Sequence, residues 1–327
     1  MSLAVGVIGA GVMGSEHARI LRKETIGAHL AAICDADEAR ARSAAGDRQE
    51  LVFTDPLALI NSDRVEAVVI AAPDSTHKGL ALACIEAGKP VLCEKPLAVT
   101  AAEAFEVVEA EVAKGRPLVQ VGYMRRFDPP YIEMKRAREA GEIGDPVILH
   151  NVHRNAVVPA WFTGAMSVTN AFVHEIDVSR WLLGSEMVSA QVHCGEGGDP
   201  LMITMVTDRG TIVSTEVFMN CRYGYHVHAQ LVGRHGTIET AVPVTTLSNA
   251  SGRHGFSYPD NWVPRFRAAY ANQMNAWVTA AAGGQSCGGA NAWDGYVTTS
   301  IAEQVVAALE TRTLTRLSLP PRPAFYD

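Results

Sequence analysis

Long apolar runs are missing from this chain of 327 residues. Nowhere do about 18 consecutive apolar residues occur, the length a membrane-crossing helix needs. A basic excess is missing too. Lys and Arg number 28 against 35 Asp and Glu, a net charge of −7, so the electrostatic footprint of a nucleic-acid or anionic-membrane binder is not expected. The six cysteines, Cys34, Cys84, Cys93, Cys194, Cys221 and Cys287, form no C-x-x-C pair, and each sits among apolar or small residues. They are expected to be reduced, buried thiols rather than a disulfide framework. H-E-x-x-H is absent. Histidine pairs at 150/153 and 226/228 have no acidic cluster in register, so no metal site is expected. The opening "LAVGVIGAGVMG" is an apolar strand running into a glycine turn, not a signal peptide, and a cytoplasmic location follows as an expectation.

What is present is ample core material: 48% of residues are hydrophobic and 19% charged. The length suits two domains better than one. Residues 1–123 alternate short continuous apolar runs (3–9, 29–35, 65–73, 90–95, 117–123) with segments of helical spacing (14–24, 37–46, 75–88, 100–115), several of them ending in glycine. Continuous runs suit strands buried on both faces, so a parallel sheet covered by helices is expected. Over 124–327 the grammar changes. After "RRFDPPYIEMKRAREAG", in which Asp128 reads as the N-cap ahead of Pro129, come a strand at 145–154, a long loop and a helix at 170–183. Alternating strands follow at 187–195, 201–208, 211–219, 225–233 and 236–241, with turn signals at "DRG" and "GRHG". Late helices are expected at 264–284 and 292–312, and a last strand near 315–321. The fold class is therefore α/β: a Rossmann dinucleotide-binding domain (1–123) and a second α/β domain (124–327) with an open, mostly antiparallel sheet.

Gly9, Gly11 and Gly14 form G-x-G-x-x-G directly after an apolar strand and at the start of a helix. That context turns a weak motif into a dinucleotide signal. Gly9 permits the tight turn, Gly11 lets the backbone approach a pyrophosphate, and Gly14 lets helix and strand pack closely. Asp35 ends the second strand, where an acid bonds the adenosine ribose hydroxyls. The next residues are Ala36 and Asp37, with no arginine at once, so a 2′-phosphate would meet carboxylates and the cofactor is expected to be NAD. Lys95 follows the fifth strand in "CEKPL", at the carboxyl edge where ligands of such sheets bind. There it can bond a substrate hydroxyl; taken alone it is more simply read as a solvated surface lysine. His174, near the start of "NAFVHEIDVSRWLL", reads either as a core histidine or as a proton acceptor.

Taken together, the glycine turn with Asp35, "AAPDSTH" (71–77), "EKPL" (94–97), "GYMRRFDPPY" (122–131) and "HEIDVSRWLL" (174–183) resemble the Gfo/Idh/MocA oxidoreductases. The branch that also shows runs like "NCRYGY" (220–225) and "NAWDGY" (291–296) is that of bacterial inositol 2-dehydrogenases. The resemblance implies reversible hydride transfer between NAD and a ring secondary alcohol of a polyol or sugar, in a homo-oligomer, commonly a tetramer built on the open sheet face. It implies a cofactor-lining set of Gly9, Gly11, Val12, Met13, Gly14, Asp35, Ala72, Pro73, His77, Glu94, Lys95 and Pro96, with Pro96 often preceded by a cis bond. Lys95 matches the family lysine and His174 its histidine base. Arg125, His153, Arg154 and Tyr225 fall near the substrate. One position departs from the pattern: Asn170 stands where inositol dehydrogenases of the family have aspartate, four residues before the histidine. Asn170 joins Lys95 and His174 as the catalytic set, with its charge removed. Asp177, three residues after His174, is a candidate substitute, although a salt bridge to Arg180 is its simpler use. The expected activity is oxidation of myo-inositol at C2. Another inositol isomer, or a pyranose or anhydrosugar, is the alternative within the class, and an NAD-binding sensor with a weakened centre is the alternative outside it.

Overall fold

The computed structural model describes residues 2–46, 50–162, 164–241 and 246–327. In the first half the apolar runs become a sheet because their side chains are needed on both faces. β1 (Leu3–Ile8), β4 (Ala67–Ile70) and β5 (Val91–Cys93) are almost wholly buried, as are Ala32, Ile33 and Cys34 of β2 (Ala28–Cys34). β3 (Leu51–Phe53) and β6 (Val119–Val121) complete the parallel set. The order is Ala290–Asn291, β6, β5, β4, β1, β2, β3, and only the short Ala290–Asn291 strand runs antiparallel. Between the strands run α1 (Val12–Lys23), α2 (Glu38–Ala45), α3 (Pro56–Ile60), α4 (His77–Ala87) and α5 (Ala101–Lys114). Thr100 and Glu103 close a reciprocal capping box at the start of α5, and Gly88 and Gly115 end α4 and α5 in the left-handed conformation. β3 and α3 have no counterpart among the sequence expectations. A half-buried strand of three residues and a helix of five are too short to show a period.

The two compact units are not consecutive pieces of chain. The first is Met1–Phe127 together with Ala268–Ser300 and Leu319–Asp327; the second is Asp128–Arg267 with Ile301–Ser318. The division at 123/124 drawn from the sequence places all of the late chain in the second unit, and packing returns part of it to the first. The reason is visible in two contacts. Ala290 pairs with Val121 at the open edge of β6. The C-terminal turn sends the Tyr326 hydroxyl to the buried Glu111 carboxylate at 2.6 Å, whose other oxygen accepts the N–H groups of Leu118 and Val119.

The second unit is built on one sheet of seven strands. Its order is β12 (Thr237–Glu239), β11 (His226–Gly233), β7 (Pro146–Arg154), β10 (Ile212–Phe218), β9 (Leu201–Thr207), β8 (Met187–Cys194) and Thr315–Arg316. Only β7 and β10 run parallel. Burial alternates strictly along β9 and β11, as a sheet with one covered face requires. On the covered face lie Leu149, Asn151, Val213, Thr215, Ala229 and Leu231, facing the helix Val173–Leu183. Gly210, at φ +82°, makes the tight turn between β9 and β10. α6 (Pro129–Glu139) starts after Asp128, but the expected side-chain cap is not made. The Asp128 carboxylate is instead forked by the Arg265 guanidinium at 3.2 and 2.9 Å, a stronger, charge-assisted pair in a buried place. The run read as one helix over 170–183 is a π-helical turn, Ser167–Phe172, leading into an α-helix over Val173–Leu183. No helix among the described residues is long and apolar enough to cross a membrane.

Candidate active site

The nucleotide end is assembled by the turn between β1 and α1. Gly9 has φ +96°, and a Cβ there would lie 2.3 Å from the Ala71 carbonyl oxygen. At Gly14 a Cβ would meet the Gly9 carbonyl oxygen at 1.8 Å. These two glycines are required by packing within the fold. Gly11 is different, for a Cβ there would meet nothing within 4 Å. It stands exposed as the N-cap of α1, with no side-chain cap over the helix start. An open cradle above the N–H groups of a helix N-terminus is what a pyrophosphate fills, so the residues fit a dinucleotide. Val12 is exposed beside it and Met13 half-buried.

Asp35 follows β2 and reaches back to this turn. One carboxylate oxygen accepts the Ala10 N–H at 2.8 Å and the other the Asp37 N–H at 2.9 Å. Burial pushes the Asp35 carboxyl up, but the two N–H groups and the Arg40 charge outweigh it and hold the carboxyl below its ordinary value. Arg40 is the residue that the sequence reading passed over. It lies five positions on, within α2, and its guanidinium comes to 3.5 Å from Asp35 and 3.6 Å from Asp37. A cation is therefore already present beside Asp35, the acid expected to meet the ribose. The signal was there, since Asp37 caps α2 and the third residue after a cap lies over it. Asp35→Ser should abolish the preference for NAD and let Arg40 take a 2′-phosphate, raising kcat/KM with NADP at least tenfold. Initial rates with both cofactors check this; an unchanged NAD preference would show that Asp35 serves the turn alone.

Around β4 and β5 the site is held by a histidine clamp. The His77 ring is buried, with Nδ1 2.6 Å from the Pro96 carbonyl and Nε2 2.9 Å from the Ala72 carbonyl. Burial would lower its pKa; the neighbouring Cys93 sulfur and the two facing carbonyls raise it to about 10. His77 thus ties the Ala72–Pro73 loop to the Lys95–Pro96 loop instead of presenting a ring nitrogen to a ligand. Glu94 is likewise turned inward, its carboxylate 2.7 Å from His17 Nε2 in a buried pair. Lys95 is half-buried and joined to Pro96 by a cis peptide. Arg125 is almost completely buried, at 1% exposure, in the 3₁₀ turn Met124–Phe127.

In the second unit, three aromatic groups come together under the sheet. His174, at the second position of the Val173–Leu183 helix, lies with its ring 6.4 Å from that of His153 on β7. The Tyr225 ring stands edge-on to His153 at 5.8 Å and to Phe266 at 6.2 Å. His153 Nδ1 is 3.1 Å from the Glu175 carboxylate, and Glu175 is fully buried. Asn170 is half-buried on the π turn, just before the helix. Arg154 does not join this group, contrary to the sequence expectation. Successive strand residues point to opposite faces, so with His153 inward Arg154 is outward. It is forked onto Glu216 at 2.6 Å through two nitrogens and bonds the Tyr223 hydroxyl at 2.9 Å. Arg180 is forked in the same way onto Glu186. No metal-binding group of three or more His, Cys, Asp or Glu exists among the described residues.

Comparison with known proteins bears on both units. Residues 3–123 match the oxidoreductase family with an NAD-binding Rossmann fold, and residues 131–239 match the Gfo/Idh/MocA C-terminal domain. The chain belongs to the Gfo/Idh/MocA oxidoreductase family. It is 49% identical to inositol 2-dehydrogenase 1 of Saccharopolyspora erythraea, over 100% of this chain and 99% of that one. It is 37% identical to an inositol 2-dehydrogenase/D-chiro-inositol 3-dehydrogenase of Shouchella clausii, over 100% and 97%. The crystal structure of myo-inositol dehydrogenase from Lactobacillus casei, in complex with NAD(H) and myo-inositol, superimposes with a TM-score of 0.93 at 29% identity and full coverage of both chains. As a member of this family the chain is an NAD-dependent dehydrogenase with a Rossmann domain and a C-terminal α/β domain.

Proposed function

We propose that the protein oxidises myo-inositol at C2 with NAD. The observation that carries this reading is His174: a nearly buried imidazole, 9% exposed, grouped with His153 and Tyr225 in a chain whose glycine cradle fits the dinucleotide. Oxidation of a ring CH–OH to a ketone removes a hydride from carbon and a proton from oxygen. Bound NAD supplies the hydride acceptor. His174 takes the proton, a role suited to a neutral imidazole near pH 7. Lys95 bonds the reacting oxygen and favours its alkoxide character. Arg125, His153, Asn170 and Tyr225 hold the remaining hydroxyls. Asn170 accepts an N–H bond through its carbonyl and also donates, so it orients without charge. The buried ring cluster and the neutral amide suit an uncharged, hydroxyl-rich ring.

The test is NADH formation at 340 nm over myo-, scyllo- and D-chiro-inositol, glucose and an anhydrosugar. The expected result is the highest kcat/KM with myo-inositol. A higher value with another inositol moves the assignment within the class, and no NADH with any polyol would favour an NAD-binding sensor. The same reading takes the protein to be a cytoplasmic homotetramer, joined through the open face of the second sheet, where Met202 and Ile212 are more than two-fifths exposed. Light scattering in solution reads the assembly directly.

A further inference from the structure

Position 170 lacks the negative charge that an acid there would bring to His174, yet the second unit contains a buried carboxylate against His153, whose ring lies 6.4 Å from that of His174. Glu175 has 0% exposure, and both of its carboxylate oxygens lie 3.1 Å from His153 Nδ1. A carboxylate taken out of water persists only where a donor meets it. Here His153 Nδ1 stands in place to donate, and a neutral ring held so presents Nε2 as an acceptor. That ring lies within 6.4 Å of His174 and 5.8 Å of Tyr225. The groups around it include His174 and Glu175 from the helix and Tyr225 from the entry to β11.

We propose that Glu175 is the positioning residue of alcohol oxidation in this protein. Through His153 it fixes the tautomer of a second substrate-facing imidazole, and it supplies from behind the site the negative charge that Asn170 does not carry. The inference rests on His174 being the proton acceptor. The buried charge favours imidazolium over imidazole at His174, which makes that residue a stronger base as the proton arrives. The pair is the carboxylate–histidine arrangement in which an acid orients an imidazole without touching the reacting atoms.

Glu175→Gln keeps the shape and removes the charge. With NAD affinity and melting temperature held near the parent values, kcat should fall by about ten- to a hundredfold, the range for a supporting partner of this kind. The acid limb of the kcat/KM profile reports the base that must be neutral. Loss of a nearby negative charge lowers that pKa, so the limb should move to lower pH. Glu175→Asp should recover part of kcat. Asn170→Asp added to Glu175→Gln should return the limb toward its parent position, because the charge is restored from the other side. Parent turnover and an unmoved limb in Glu175→Gln would overturn the proposal and leave Glu175 a packing residue. His153→Asn, whose amide can still bond the carboxylate, covers the case in which Glu175→Gln fails to fold. It should lose at least tenfold in kcat with NAD binding intact, and parent turnover there is equally fatal. Failure of the base assignment itself is seen separately, as an active His174→Ala.

Discussion

His174→Ala should lower turnover of myo-inositol by about a thousandfold, in the middle of the range that a positioned acid–base group contributes. The affinity for NAD stays within about twofold, because the glycine cradle and Asp35 belong to the first unit and His174 to the second. The magnitude follows from the role. Without the imidazole, the alcohol proton has to leave to water while the hydride departs, and the alkoxide character of the transition state has no matched acceptor. Lys95→Ala should cost about a hundredfold for the related reason that the developing negative oxygen loses a cation. Steady-state rates across pH, with NAD binding followed by protein fluorescence, check both. The acid limb should disappear in His174→Ala and persist in Lys95→Ala. Turnover near the parent value in either variant would remove that residue from the chemistry.

The second large effect concerns Gly14. Alanine at this position places a methyl 1.8 Å from the Gly9 carbonyl oxygen, and the atom it meets is backbone rather than a flexible side chain. Neither side can yield without opening the β1–α1 turn. The expected outcome is destabilisation of about 3 kcal/mol, the upper part of the overpacking range, together with loss of measurable NAD binding because the cradle is displaced. Gly11→Ala is the internal control. Its methyl meets no protein atom, so stability should be unchanged while NAD affinity falls. Thermal melts with and without NAD separate the two. Equal melting temperatures for Gly14→Ala and the parent would show that the turn relaxes where the structure has it fixed.

The first half of the fold was readable because its strands are buried on both faces and its helices carry their own stops. Gly88 and Gly115 end α4 and α5 at the positions that the sequence marks. Asp35, Lys95 and His174 could be singled out as candidates for a similar reason, since each is tied to the end or start of a recognisable element. What could not be read was a choice made by tertiary partners. Asp128 has the sequence of a cap and the structure of an ion-pair partner, because Arg265, 137 residues away, offers two donors. The π turn that carries Asn170 has no signature in a single helical period. Arg154 was assigned to the site by its nearness to His153, and the pleat sends the two to opposite faces. Glu175 was in plain view inside the quoted motif, but its contact with His153 depends on the approach of β7.

The return of the last residues to the first unit has a consequence for biosynthesis. The β6 edge waits for Ala290, and Glu111 waits for Tyr326, the penultimate residue. At about 5–20 residues per second on the ribosome, the nucleotide-binding half therefore spends roughly ten seconds or more with an exposed strand edge and with one Glu111 oxygen still to meet the Tyr326 hydroxyl. The piece that reads as a free-standing module in the sequence is completed only by segments made long after it.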